Sequence, residues 1–252
     1  MKKIPLILLF TILNSQFSIP CPAQPGSVGD AAMFHHAPAS SAAAFTPSQV
    51  TGAALYLSYL DMPVDGNRYN WTNKISSSIV FTNRSSTVLT NTASGIYFPG
   101  TAGNYFQMTN SGIPTTNTLH SIWICMKPIA ANHTEDCVLG YTATSGRGIY
   151  LRSGYYWLMG GDYTTFTTAF SPLTSQYDVA IAAGSPANVS TNGVFCQTSS
   201  QLITAGFTLW GIGQDADTDN NYNGYIKFIL VCTNYTFTTN DIANLHTYAA
   251  GH

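Results

Sequence analysis

Charge is scarce in this chain. Lys, Arg, Asp and Glu together make up 8% of its 252 residues, against roughly 25% in an average soluble domain. The net charge is −2, so nothing in the charge balance speaks for nucleic acid or an anionic membrane as a partner. Glutamate is scarcer still: Glu135 is the only one. The five cysteines include no C-x-x-C pair, which removes the usual zinc-site spacing. No apolar run is long enough to span a bilayer. There is no long helical period before the C-terminal region, no fixed-period repeat, and no G-x-S-x-G elbow for a nucleophilic serine. Disorder is disfavoured as well, because hydrophobic residues stand at 45% and aromatics at 13%, enough to bury a core.

Thr, Ser, Asn, Gly and Tyr fill the places that charges usually take. That composition suits an exported β protein with long loops, and the length accommodates one large all-β domain. Residues 1–23 read as a secretory signal: Lys2 and Lys3 give the positive start, Ile4 to Leu13 the apolar core, and a cut follows Ala23. Lipid anchoring at Cys21 is a lesser alternative, since Pro20 stands where a small residue is usual. Residues 24–47, rich in Ala, Ser, Pro and Gly, read as a flexible linker or arm. His35 and His36 in it point to different sides and have no carboxylate nearby, so they read as solvated. The folded domain is expected over 48–252.

Removal of Cys21 with the signal leaves Cys125, Cys137, Cys196 and Cys232. An even count in an exported chain suggests two disulfides. Cys125 with Cys137, on neighbouring predicted strands, is the first expected pair, which leaves Cys196 with Cys232. The alternative is four buried free thiols.

The segment from Phe207 to Tyr248 organises the rest. It reads as a strand (Phe207 to Ile212), an acidic loop (Gln214 to Asn221), a strand from about Tyr225 to Tyr235, and a short helix with Phe237, Ile242, Leu245 and Tyr248 on one face. Thr238 three residues before Asp241 is a helix-start signal. Asn223-Gly224 reads as a turn. Upstream, Ala53 to Leu60, Tyr69 to Trp71, Ile79 to Phe81, Ile96 to Phe98, Tyr105 to Met108 and Ser121 to Met126 read as strands. Val138 to Tyr141, Gly148 to Arg152, Tyr155 to Met159, Phe166 to Phe170 and Tyr177 to Ala182 follow, and Asn192-Gly193 marks a hairpin. Short strands at about ten-residue spacing predict a sandwich.

Several segments resemble the laminin-G-like / concanavalin A-like lectin–glucanase superfamily. Leu209 to Gly213, Asn223-Gly224, Ile226 to Cys232, and Ile242 with Leu245 match its C-terminal strand, turn, strand and helix. Ala93 to Met108, His120 to Pro128 and Asn188 to Gly193 match earlier segments in the same order. The resemblance spans roughly Leu55 to Tyr248. It implies an all-β, two-sheet antiparallel jelly-roll β-sandwich closed by a short C-terminal helix. It implies little about activity, because this fold hosts many functions.

Glucanases of the superfamily use paired carboxylates about 5 Å apart on one strand. With Glu135 as the only Glu, and Glu135-Asp136 adjacent in a predicted loop, that machinery is not expected, and neither is enzymatic activity. The loop carrying Asp215, Asp217, Asp219 and Asn220 offers hard oxygen ligands suited to Ca²⁺. It is not an EF-hand, because Asn220 and Ile226 stand at the glycine and glutamate positions. Its plainer reading is a solvated hairpin loop. Sugar binding needs aromatic faces and planar polar groups, and Tyr155, Trp157, Asp162 and Tyr163 form the densest such group, with core packing as the competing role. The expected function is that of an exported, non-catalytic module binding carbohydrate or a cell-surface polymer. Two alternatives are a structural or adhesive module of a surface or virion-like assembly with protein partners, and an atypical glycoside hydrolase.

Overall fold

The computed structural model describes residues 44–62, 70–85, 89–108, 120–129, 135–141, 148–152, 156–159, 164–166, 177–182, 187–199, 209–214 and 221–252. The chain divides into Met1–Ala42 and Ala43–His252; the expected signal segment and most of the expected arm lie outside the described residues.

In chain order the strands begin with β1 (Ala53–Ser58), β2 (Asn70–Thr72), β3 (Val80–Asn83), β4 (Asn91–Thr92), β5 (Gly95–Pro99) and β6 (Phe106–Met108). Then come β7 (His120–Pro128), β8 (Glu135–Tyr141), β9 (Gly148–Arg152), β10 (Tyr156–Met159) and β11 (Thr164–Phe166). The last are β12 (Tyr177–Ala182), β13 (Ala187–Thr191), β14 (Val194–Ser199), β15 (Leu209–Ile212) and β16 (Asn223–Thr233), followed by helix α1 (Thr239–Ala250). They form two antiparallel sheets. The first runs β14-β13-β12-β7-β16-β5-β4, with β1 also on β16; the second runs β11-β10-β9-β8-β15-β6-β3-β2. The rings of Phe98 on β5 and Phe106 on β6 meet across the two sheets at 6.0 Å, and Trp71 on β2 lies 5.6 Å from Phe106. The architecture is the expected β-sandwich with a short C-terminal helix.

β16 is the hub. Its whole length pairs with β7, while its other edge is shared: β5 takes the first part and β1 the second. The exchange falls at Lys227, where the register against β7 shifts between Ile226 and Phe228. β16 is buried on both faces from Ile226 to Cys232, because the second sheet covers one and α1 the other. That is why it reads as a nearly continuous apolar run and not as an alternation.

α1 starts where the sequence indicates. Thr238 Oγ1 accepts from the Asp241 amide at 3.1 Å, and the Asp241 carboxylate accepts from the Thr238 amide at 2.8 Å, so Asp serves where Glu is the commoner partner. Ile242, Leu245 and Ala249 face the sheet. A fully buried Leu such as Leu245 contributes about 1.5–3 kcal/mol. Phe237 is buried but precedes the helix. The hairpin of β13 and β14 turns at Asn192 and Gly193, both at positive φ (48° and 72°), the conformation that the Asn-Gly pair predicts.

Several expectations need correction. Asn223-Gly224 is not a turn but the start of β16. Gly224 is required there because a Cβ would sit 2.5 Å from the Lys127 carbonyl oxygen and 2.8 Å from the Pro128 Cα on β7. β16 ends at Thr233, two residues before Tyr235. Glu135 and Asp136 open β8 and are not loop residues. β11 ends at Phe166, where the expected strand began; residues 167–170 lie outside the described residues.

The expected disulfides are not formed: Cys125, Cys137, Cys196 and Cys232 are free thiols. Cys125 on β7 and Cys137 on β8 belong to different sheets. Cys196 sits on edge strand β14 and Cys232 on central β16, with β13, β12 and β7 between them. Sequence neighbours joined by a short connection were expected to lie side by side, and here that connection crosses between sheets.

Candidate functional site

Of the four residues expected to contact sugar, Trp157 lies on β10. It pairs with Leu151 on β9 and Phe166 on β11, one strand in from the edge of the second sheet. Tyr155, Asp162 and Tyr163 lie outside the described residues.

The acidic loop is described at its neck. Gln214 and Asn221 form an antiparallel bridge, and the Tyr222 amide donates to the Gly213 carbonyl at 2.9 Å. Asp215, Asp217, Asp219 and Asn220 lie outside the described residues. Gln214 is fully buried, and its Oε1 accepts from the Gly103 amide at 2.9 Å, tying the neck to the loop between β5 and β6. The Gln214 Nε2 donor and the Asn223 Oδ1 acceptor are buried and find no hydrogen-bond partner among the described residues. Buried amides are ordinarily satisfied, so the base of this loop has unspent donor and acceptor capacity. Among the described residues no group of three or more His, Cys, Asp or Glu is placed to hold a metal ion.

The outer face of the first sheet carries a buried polar cluster under α1. Asp178 on β12 is 2% exposed. Its Oδ2 accepts from the Trp123 indole at 3.1 Å, and its Oδ1 lies 2.6 Å from Nδ1 of His246 on α1. The backbone of Asp178 is bonded twice to Asn192: its carbonyl accepts from the Asn192 amide and its amide donates to the Asn192 side chain. The His246 ring lies over Gly193, where a Cβ would come within 3.1 Å of it. The hairpin turn, the buried acid and the helix are thus fastened together. Trp123 stacks on Phe228 at 5.8 Å and is fully buried, in keeping with the core role its apolar neighbours suggest.

Beside this cluster, Lys227 is buried at the irregularity in β16. Its Nζ donates to the His252 carbonyl at 2.7 Å and lies 5.5 Å from the Tyr59 ring centroid. The Tyr59 hydroxyl donates to the same carbonyl at 3.2 Å. Burial lowers the Lys227 pKa, and nearby Cys125 partly offsets this. The His252 ring stacks on Tyr248 at 4.3 Å, and Tyr248 accepts a hydrogen bond from the buried Tyr56 hydroxyl at 3.0 Å. Tyr56 is raised above the ordinary tyrosine range by burial and then by that bond. Along this edge runs an open groove of about 420 Å³, lined by Phe45, Asn244, Thr247, Tyr248 and His252 among others.

Asp178 and Lys227 were missed at the sequence level, although a signal exists: each is a lone charge inside an apolar strand, in YDVAIA and YIKFILV. Burying a charge is costly unless it finds a partner, so such a residue implies an interaction that the strand pattern alone does not name.

No family model matches the sequence, and no curated protein matches it either. Similarity appears at the level of structure. A sialidase from Trypanosoma rangeli aligns with a TM-score of 0.57 and 14% identity, over 77% of this chain and 32% of that one. The same enzyme in complex with the inhibitor DANA aligns over 83% of this chain and 34% of that one, with a TM-score of 0.56 and 15% identity. The chain therefore spans about a third of the length of these sialidases. Domain 4 of an extracellular arabinanase from Geobacillus stearothermophilus, in complex with arabinotriose, aligns over 77% of this chain and 98% of that domain, with a TM-score of 0.53 and 13% identity. At such identities the likeness is one of fold, a β-sandwich.

Proposed function

We propose that this protein is an exported, non-catalytic sandwich module that binds carbohydrate or a related cell-surface polymer. The observation that carries this reading is the match to the arabinanase domain, which is aligned over nearly its whole length and is bound to arabinotriose. A narrower place within the laminin-G-like / concanavalin A-like superfamily is consistent with the two-sheet architecture and the ordered segments from Ala93 onward. Tyr155, Trp157, Asp162 and Tyr163 remain the proposed contacts, and of these Trp157 lies on β10, one strand in from the edge of the second sheet. Ca²⁺ is proposed to bind through Asp215, Asp217, Asp219 and Asn220, which follow Gln214 in the chain. Catalysis is not proposed, because Glu135 is the only Glu and the glucanases of the superfamily work with a pair of carboxylates.

Calorimetric titration of the full chain with arabinotriose and with other neutral oligosaccharides tests the binding, and a reducing-sugar assay on the matching polymers tests catalysis. Saturable binding without sugar release supports the reading; release that disappears in Asp162→Asn or Asp215→Asn replaces it with a hydrolase. One observation favours protein partners as a second reading. Val194 and Phe195, on edge strand β14, are 66% and 58% exposed, and exposed apolar edges invite pairing with another chain.

A further inference from the structure

We propose that the groove between the Ala44–Thr46 segment and the second half of α1 is a binding site for an uncharged sugar residue, separate from the edge that carries Trp157; this rests on the carbohydrate-binding reading above. At about 420 Å³, the groove falls within the roughly 300–1,000 Å³ of small-ligand sites.

Its chemistry selects the ligand class. Among the described residues the lining contains no Lys, Arg, Asp or Glu, so no such charge favours a carboxylate, phosphate or amine there. Three rings supply apolar surface. Phe45 meets Tyr248 edge-on at 6.5 Å, and His252 stacks on Tyr248 at 4.3 Å. The α1 wall also carries neutral polar groups. Asn244 is half-buried, and its carboxamide has no hydrogen-bond partner among the described residues. The Thr247 hydroxyl donates to the Ala243 carbonyl at 2.9 Å, which leaves its oxygen free to accept. Rings set beside a planar amide and a hydroxyl on one wall, with Phe45 across from them, match a sugar ring, which presents C–H groups on one face and hydroxyls at its rim.

The site is also held in place before a ligand arrives. Tyr248 is fixed by the Tyr56 hydroxyl and by an edge contact with Phe228 at 5.2 Å. The His252 carbonyl is held by both Lys227 and Tyr59, and its ring Nδ1 is bonded to the Tyr248 carbonyl at 2.8 Å. Little side-chain freedom is then lost on binding, which favours affinity. The buried Lys227 acts from beneath, as the anchor of one wall.

Saturation-transfer NMR and titration of the full chain with xylotetraose, cellotetraose and maltotetraose provide the test. Three variants are compared with the wild type: Asn244→Ala, Phe45→Leu and Trp157→Ala. Asn244→Ala raises helix propensity and Phe45→Leu keeps apolar volume, so both are expected to fold, as a melt will verify. The expected result is that the titration resolves two sites: Asn244→Ala and Phe45→Leu each weaken one of them by about tenfold, the scale of one lost hydrogen bond or ring contact, and leave the other, while Trp157→Ala weakens the other and leaves the first. Binding that is lost in Trp157→Ala and retained in Asn244→Ala and Phe45→Leu overturns the groove and leaves carbohydrate binding standing. Equal loss in all three variants overturns the groove as a separate site. Failure of the wild type to bind any neutral tetraose overturns the groove together with the reading on which it rests.

Discussion

The Asp178 carboxylate and the His246 imidazole meet at 2.6 Å across the interface between the first sheet and α1. The acid is buried and the base is 39% exposed, so the two ends of the pair are not equivalent. Asp178→Asn keeps an acceptor for the Trp123 indole, and the half-exposed imidazole can turn to water. That change should cost about 1–3 kcal/mol. His246→Ala leaves a buried carboxylate with only the indole and should cost more. Urea unfolding of both variants checks the ordering; equal losses would mean that the pair behaves as an ordinary surface contact.

Two glycines separate conformational strain from steric collision. Gly103 has φ +81° with open space around its missing Cβ, so Gly103→Ala should cost only the left-handed penalty of about 1–2 kcal/mol. Gly224 has φ +155°, and its Cβ position lies 2.5 Å from backbone of β7. Gly224→Ala must push β7 and β16 apart at the hub of the sheet and should lower the melting temperature markedly more. Similar melting temperatures for the two variants would show that the close β7–β16 approach does not control stability.

How far these features could be read from residues depends on the range of the interaction. The α1 start is local: Thr238 and Asp241 are three apart and bond as their types suggest. The Asn192-Gly193 hairpin is local too. The hub strand was visible in Tyr225 to Val231, because a strand covered on both faces must be apolar throughout. The pair of Asp178 and His246 was not visible, since 68 residues separate the partners and only the sheet order brings β12 beneath α1. The disulfide expectation failed for the same reason. Spacing along the chain does not say whether the connection from Cys125 to Cys137 stays in one sheet or crosses to the other. Gly224 was assigned to a turn because Asn-Gly favours positive φ in either setting, and only the neighbouring strand shows which one applies.

Alkaline pH should loosen the fold through Cys232. Burial, with a smaller contribution from Asp241, pushes this thiol up from 9.0 to about 12. The folded chain therefore holds a proton that the unfolded chain releases between those values. Stability from this source is intact below about pH 9 and is lost as pH rises towards 12. Tyr56 and Tyr59, also raised by burial, act in the same direction. Lys227 is lowered by burial and opposes them, because raising the pH relieves its buried charge. Urea midpoints of wild type and Cys232→Val between pH 8 and about 11 isolate the thiol. The variant should lose less stability over that range, and an unchanged slope would remove Cys232 as the cause.

The acidic loop makes a separate prediction. If Ca²⁺ binds at Asp215, Asp217, Asp219 and Asn220, a concentration of about 100 times its Kd should stabilise the protein by about 2.7 kcal/mol. A melt with Ca²⁺ against one with EDTA should then shift by several degrees, and Asp217→Ala should abolish the shift. Identical melts would return the loop to a solvated hairpin whose Asp and Asn serve the turn.

The most direct test of carbohydrate binding is a broad glycan array probed with the full chain, once with Ca²⁺ and once with EDTA. A restricted set of neutral glycans bound above background, with no reducing sugar released on incubation, is the predicted result. A blank array under both conditions would contradict the account and turn attention to Val194 and Phe195 on β14 as the meeting point with a protein partner.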